Sequence, residues 1–498
     1  MPEFILTPEQ NAIIASARIP ENSIWSALAG AAKTSTLTLF AQKLPLVPTL
    51  CCAFNKKIAD EMTKRMPAHI TCKTMNALGH AAWGQKIGKR LTVKADKLYT
   101  IFSTILEKAR PEQKKLYGEM FSSLLRAARL AKSNGYVPQY GRAFGSTLTE
   151  REPFLDAIAA DLDVEPTPEF AELLDEILSI SITSAFEGVI DFDDQIYMSV
   201  CFSAPFPTFP IILVDEAQDL SPMNHEMIRR MYGGRLVVVG DPFQAIYGFR
   251  GAHSSSMSLL KEEFSMKEYP LNVSFRCPIS VVERARWRAP HMAYPDWARP
   301  GKVEALEEWG VSVIPADAAI ICRSNAPLFS IALRLIRAGR GVEISKGDIG
   351  KSLITILRKF GKDDLPHVSV LSCISEWENK ELSKAREARH TPIHDKADCL
   401  RVFADAGTTL GASIAFATHL FEATGSVKLM TGHKAKGLEF PVVFHLDPQL
   451  IPSKYALRAA TTGDPTKLEQ EYNVRYVIET RAQDTLYLVE SEAFRADA

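Results

Sequence analysis

Three apolar runs, each closed abruptly by polar residues, dominate the hydrophobic pattern of this chain. Ile211-Ile-Leu-Val214 runs into Asp215-Glu-Ala-Gln-Asp219, and Leu236-Val-Val-Val239 runs into Gly240-Asp-Pro-Phe-Gln244. Ala318-Ala-Ile-Ile-Cys322 runs into Arg323-Ser-Asn325. Apolar runs without alternation predict strands buried on both faces, as in a parallel sheet. Leu37 to Leu44 reads as a helix instead. Leu98 to Leu178 reads as successive amphipathic helices, broken at Asn134-Gly135 and Pro166-Thr-Pro168. The pattern predicts an α/β protein with parallel sheets and a helical insertion.

In an open α/β sheet, ligands gather at the carboxyl ends of the strands, where Asp215 and Glu216 stand. One such carboxylate can hold Mg²⁺ while its neighbour polarises a water, the pairing that triphosphate hydrolysis requires. Near the N-terminus, Trp25-Ser-Ala-Leu-Ala-Gly-Ala-Ala-Lys-Thr-Ser-Thr36 offers small residues whose backbone N–H groups can curl around phosphate. Gly30, Ala31, Ala32, Lys33, Thr34 and Ser35 are its candidate ATP-binding residues. Lys33 is placed to reach the β/γ-phosphates and Thr34 to join Asp215 around the metal. The spacing matches a Walker A loop, with alanines at Ala27 and Ala32 where glycines are usual. Should Ala32 sit at positive φ, its Cβ costs on the order of 1–2 kcal/mol. Beyond the third strand end, Gln244 is placed to sense a terminal phosphate, and Tyr247, Phe249 and Arg250 offer surfaces for unpaired bases.

At 498 residues the chain exceeds one hydrophobic core, so several domains are expected. Hydrophobic residues make up 46% and charged residues 23%, which excludes a disordered chain. A net charge of -1 leaves any nucleic-acid contact to a local groove. Neither a membrane span nor a signal peptide is expected, and eight scattered cysteines without a Cys-x-x-Cys pair point to a cytoplasmic protein rather than a disulfide or zinc module.

In the order of its motifs, the chain resembles the UvrD/Rep-type superfamily 1 DNA helicases, and among them the compact F-box DNA helicase relatives and phage homologues. Phe4-Ile-Leu-Thr-Pro-Glu-Gln10 resembles the Q motif, Ala53 to Arg65 motif Ia, and Thr71 to Leu78 the DNA-contacting motif after it. Asp215 to Gln218 is similar to motif II and Gly240 to Gly251 to motif III. Leu271 to Pro278 resembles motif IV, Leu429 to Phe440 motif V, and Glu471 to Ala482 motif VI.

The resemblance implies two RecA-like P-loop domains with parallel sheets, each carrying a mainly helical inserted subdomain. The first would cover 1–84 and 188–264 with an insertion at 85–187, and the second 265–340 and 425–498 with a reduced insertion at 341–424. It implies ATP and Mg²⁺ as cofactors, with Gln10 reading the adenine edge, Phe275 stacking on adenine and Glu439 near the ribose. Glu216 is then the general base, Gln244 the coupling residue, and Arg276 and Arg481 the arginine fingers. Phe54, Thr74, Tyr247, Phe249, Arg250 and His433 are the implied DNA contacts. The implied activity is ATP-driven 3′–5′ movement on single-stranded and tailed duplex DNA, within a replication, repair or recombination complex and away from membranes. An ATP-gated DNA-binding subunit, or a remodeller of protein–DNA complexes with weak unwinding, remains the alternative. The basic stretch Lys86, Lys89, Arg90, Lys94, Lys97 either tracks a DNA backbone or forms a solvated face, and Asp191-Phe-Asp-Asp194 receives no chemistry.

Overall fold

The computed structural model describes residues 5–138, 145–162, 166–248, 255–344, 348–384, 390–422, 424–461, 463 and 465–495. The chain divides into two compact units: Met1–Ala27 with Ala32–Leu271, and Leu28–Ala31 with Asn272–Ala498.

The first unit carries β1 (Ser23–Ala27), β2 (Thr49–Ala53), β3 (Ile70–Thr74), β4 (Thr92–Val93), β5 (Val189–Ile190), β6 (Phe209–Val214), β7 (Tyr232–Gly240) and β8 (Lys267–Leu271). Six of them form one sheet in the order β3-β2-β6-β7-β1-β8, all neighbours parallel. Ile211 to Val214 and Leu236 to Val239 are buried within it, as unalternating apolar runs require. Lys267–Leu271, assigned to the second domain on sequence, is instead an edge strand of this sheet, matched to β1 from Ser23 to Ala27. Only Tyr269 and Leu271 of that strand are buried, so its pattern carries little strand signal.

Between β3 and β6 the chain is largely helical. Helices Lys97–Lys108, Pro111–Asn134, Arg151–Leu162 and Pro168–Phe186 enclose an apolar cluster that includes Phe102, Leu124, Phe170 and Leu174. A buried ion cluster ties these helices to the turn that leads back to the sheet. Lys97 Nζ lies 2.6 Å from Asp194 Oδ2, and Lys132 Nζ lies 2.5 Å from Asp191 and 2.7 Å from Asp194. Two lysines facing two carboxylates satisfy charges that would each be costly to bury alone. Lys97 is therefore a structural residue and neither of the two surface roles suggested for its basic stretch. In that same stretch, Lys86 and Lys89 donate to the carbonyls of Ser203 and Phe186.

The second unit carries β9 (Lys302–Ala305), β10 (Trp309–Gly310), β11 (Ala319–Cys322), β12 (Val342–Ile344), β13 (Val427–Thr431), β14 (Phe440–Leu446), β15 (Ala482–Val489) and β16 (Phe494–Arg495). Its six-stranded sheet, again all parallel, has the order β12-β13-β11-β14-β15-β9. Helices Asp348–Leu357, His367–Lys384, His390–Asp405 and Leu410–Glu422 lie in sequence between β12 and β13 and share a core with the sheet through Leu353, Phe403 and Leu420. Two parallel sheets with helical insertions match the fold class expected from the sequence. Among the described residues no helix is long and apolar enough to cross a membrane.

Candidate active site

In the first unit, β1 and the helix Lys33–Ala41 flank the glycine- and alanine-rich loop. Ala32 caps that helix in the left-handed region, φ 54° and ψ 37°, the conformation in which a Cβ is penalised. Lys33 Nζ lies 3.2 Å from Glu216 Oε1. Burial opposes the charge on Lys33, but Glu216, Asp241 and Asp215 outweigh it and raise its pKa. Burial and the Glu216 charge together push the Asp215 carboxyl up to about 6. A desolvated carboxylate of this kind favours a cation beside it. Thr34 and Asp215 are the residues that could hold a Mg²⁺ ion, which commonly takes one or two protein carboxylates and completes its shell with phosphate oxygens and water.

Glu216 also sits at positive φ, 54°, two residues after the end of β6, and its N–H donates to Asp215 Oδ1 at 2.9 Å. Both carboxylates act on Lys33, Glu216 more strongly. From Glu216 a polar chain runs onward. Gln218 Nε2 donates to Glu216 Oε2 at 2.5 Å, and Gln218 Oε1 accepts the Asp241 N–H at 3.1 Å. Gln244 Nε2 donates to Asp241 Oδ2 at 2.7 Å. The Gln218 side chain fits only because position 240 is glycine, where a Cβ would stand 2.5 Å from Gln218 Oε1. Gln218 and Asp241 were not singled out on sequence. Asp241 follows a buried strand just as Asp215 does, and that shared pattern is the signal that could have found it. Gln10 anchors the helix Pro8–Ala15: its Oε1 accepts the Thr7 N–H, and its Nε2 donates to Thr36 Oγ1 at 3.0 Å. Ser35 is exposed.

The aromatic candidates of the same unit meet one another. Phe54, just after β2, and Tyr247 face each other with ring centroids 6.3 Å apart and planes 10° from parallel. Both line a cavity of about 170 Å³ together with Asn76 and Phe192. A smaller cavity of about 90 Å³ is lined by Phe54, Asp215 and Glu216. Phe192, 59% exposed, belongs to the acidic turn that received no chemistry, and its carbonyl accepts from Asn76 Nδ2. Thr74 caps the helix Met75–Ile87 through its hydroxyl. Phe249 and Arg250 lie outside the described residues.

Within the second unit, Gly30 has φ +75°, and a Cβ there would stand 2.6 Å from Ser274 Oγ and 2.7 Å from Arg276 Cβ. Glycine is thus required both by conformation and by close approach. Arg276 Nε pairs with Glu439 at 2.5 Å, and Glu439 also accepts from Gln483 Nε2. The ring of Phe275 lies 6.2 Å from that of Trp297, which is 70% exposed. Arg481 is 1% exposed, its guanidinium donating to the carbonyls of Val477 and Leu438 and to Thr480 Oγ1. His433 lies half-buried in the short helix Gly432–Ala435.

Comparison with known proteins gives these features a family. Residues 6–265 match the UvrD/REP helicase N-terminal domain, and residues 405–493 match the UvrD-like helicase C-terminal domain. The F-box DNA helicase protein 1 of Schizosaccharomyces pombe is 25% identical across 97% of this chain and 57% of its own length. The F-box DNA helicase 1 of Gallus gallus is 25% identical across 98% of this chain and 49% of its own. The ATP-dependent DNA helicase UvrD1 of Mycobacterium leprae is 48% identical over 13% of this chain and 8% of its own. The chain spans about half the length of the two F-box relatives. With the N-terminal match covering more than half of its residues, the chain belongs to the UvrD/REP helicase family.

Proposed function

We propose that this chain is an ATP-dependent DNA helicase that moves 3′–5′ on single-stranded DNA, driven by ATP hydrolysis at Lys33, Asp215 and Glu216. The observation that carries the reading is that Phe54 lines two neighbouring cavities, one bounded by Asp215 and Glu216 and the other by Tyr247 and Phe192. Chemistry and base recognition thus share a wall.

In this reading Lys33 exchanges Glu216 for the phosphates, and the released Glu216 takes a proton from the attacking water. Thr34 and Asp215 hold Mg²⁺, which when bound neutralises phosphate charge. The chain Glu216–Gln218–Asp241–Gln244 makes the general base and the segment leading to Tyr247 parts of one hydrogen-bonded unit. Breaking the contact at Glu216 then bears on the aromatic slot. The rings of Phe54 and Tyr247 are spaced close to the roughly 6.8 Å that a base stacked on both sides occupies, twice the 3.4 Å rise of a strand. Stacking of this type ignores sequence, as movement along DNA requires. Gln10 and Phe275 would hold the adenine, Glu439 the ribose, and Arg276 and Arg481 the transition-state charge. Thr74 and His433 would contact the strand. The domain limits at 84, 187, 264, 340 and 424 belong to the same proposal, with the limit at 264 moved to 271 to include Lys267–Leu271.

A second reading, an ATP-gated binder or remodeller in a replication, repair or recombination complex, draws on the left-handed Ala32 in the phosphate loop. ATP turnover with and without single-stranded DNA tests the proposal. Stimulation by DNA in wild type, lost in Phe54→Ala while basal turnover persists, supports it. Turnover indifferent to DNA contradicts it.

A further inference from the structure

Cys51 on β2 and Cys72 on β3 are directly opposite each other in a parallel ladder. Residues matched in register point to the same face of a sheet, so both thiols lie on one side, whereas Cys52 points to the other. Neighbouring strands run about 4.8 Å apart, inside the roughly 4.4–6.8 Å window of Cα separations that a disulfide spans. Each thiol is the largest single influence on the ionisation of the other. Among the described residues no other two cysteines are matched across a ladder.

The pair is asymmetric. β3 is the edge strand of its sheet, and Cys72 is partly exposed there, while Cys51 is fully buried one strand further in. Contact with the Cys51 thiol, and then with Thr63, lowers the pKa of Cys72 against the opposing effect of burial. The same contact and burial raise that of Cys51. A reachable thiol inclined to ionise beside a sheltered second thiol is the arrangement of redox-sensing cysteines. Hydrolysis and DNA binding as proposed above use neither residue.

We propose that Cys51 and Cys72 are a peroxide-responsive dithiol that closes into a disulfide between β2 and β3. The Cys72 thiolate attacks one oxygen of hydrogen peroxide; an S–O bond forms, the O–O bond breaks and hydroxide leaves as water. The Cys51 sulfur then attacks the Cys72 sulfenic acid, forming the S–S bond and expelling a second water. The two thiols lose two electrons and two protons, and peroxide is reduced to two waters. Phe54 directly follows β2 and Thr74 ends β3, so the crosslink forms at the root of both segments.

The test is thiol titration and peptide mass mapping of the full chain after hydrogen peroxide, without and with later reductant. The expected result is loss of two of the eight thiols, a joined peptide containing Cys51 and Cys72, and recovery of both thiols by dithiothreitol. Cys52→Ala keeps the crosslink. Cys51→Ala and Cys72→Ser each abolish it, and Cys51→Ala leaves a sulfenic acid at Cys72 that dimedone captures. The proposal is overturned if both thiols stay free, or if Cys72 in wild type passes to the sulfinic acid without a joined peptide. Because the readout is sulfur chemistry, it stands or falls apart from the proposed helicase activity.

Discussion

Lys33 Nζ lies 3.2 Å from Glu216 Oε1, so the loop lysine and the strand-end carboxylate hold each other. In the proposed mechanism a triphosphate takes Lys33 away from Glu216 and so frees the carboxylate to act on water, which makes binding and activation of the base two sides of one exchange. Glu216→Gln removes the negative partner and the base together, so ATP binding is retained while turnover falls by about 10²–10⁴-fold, the range for a lost general base. Equilibrium binding and steady-state hydrolysis of that variant check the split; normal turnover would assign the chemistry to another residue.

Ala32 lies in the left-handed region at φ 54°, with the Cβ that glycine lacks. Relief of that strain is worth about 1–2 kcal/mol, of which the extra unfolded-state freedom of glycine takes back roughly 0.5–1 kcal/mol. Ala32→Gly is therefore expected to stabilise the protein by up to about 1.5 kcal/mol, seen as a higher urea midpoint at unchanged slope. Ala32→Val shifts the midpoint the other way. A glycine variant less stable than wild type would show that the loop does not hold strain at this position.

Phe54, Tyr247 and Phe192 line one cavity, and Phe192 is 59% exposed. Each ring that stacks on a base is worth about 1–3 kcal/mol. Phe192→Ala should weaken binding of a fluorescent single-stranded oligonucleotide by roughly fivefold to a hundredfold, with little dependence on base sequence. Unchanged affinity would remove Phe192 from the interface.

Much of this site was legible because its signals are local. Asp215, Glu216 and Gln244 follow strand ends that announce themselves as buried apolar runs, and Lys33 stands in a compact small-residue loop of Walker A spacing. What escaped depends on partners distant in sequence or on pattern too weak to read. Lys97 looked like part of a basic surface, yet its charge is met by Asp194, 97 positions away. Lys267–Leu271 lacks a continuous apolar run because an edge strand is buried only in part. Phe192 was hidden in an acidic turn whose carboxylates are structural and whose aromatic ring is exposed. The match of Cys51 with Cys72 depends on strand register, which two isolated segments do not reveal.

In the second unit, the Glu479 carboxylate is fully buried between Arg284, 3.3 Å away, and Arg475, 3.0 Å away. Trp287 Nε1 donates to it, and His445 Nδ1 stands 3.7 Å off, beyond hydrogen-bond reach. Burial opposes its ionisation, but His445 and the two arginines prevail and bring its pKa from 4.5 down to about 2. A carboxyl depressed on folding stabilises above its unfolded pKa, and the gain is lost as pH falls through the folded one. About 3 kcal/mol should therefore disappear between roughly pH 4.5 and pH 2. Denaturation as a function of pH checks this: Glu479→Gln lowers stability at neutral pH and flattens the acid limb. An acid limb unchanged in the variant would mean that other carboxylates set it.

The central claim, that ATP hydrolysis moves this chain along single-stranded DNA, is tested most directly by ATP turnover and strand displacement on duplexes carrying either a 3′ or a 5′ single-stranded tail. The account predicts brisk turnover and displacement from the 3′-tailed duplex, both abolished by Lys33→Ala. Turnover that persists in Lys33→Ala, or the absence of displacement from either tailed duplex, would contradict it.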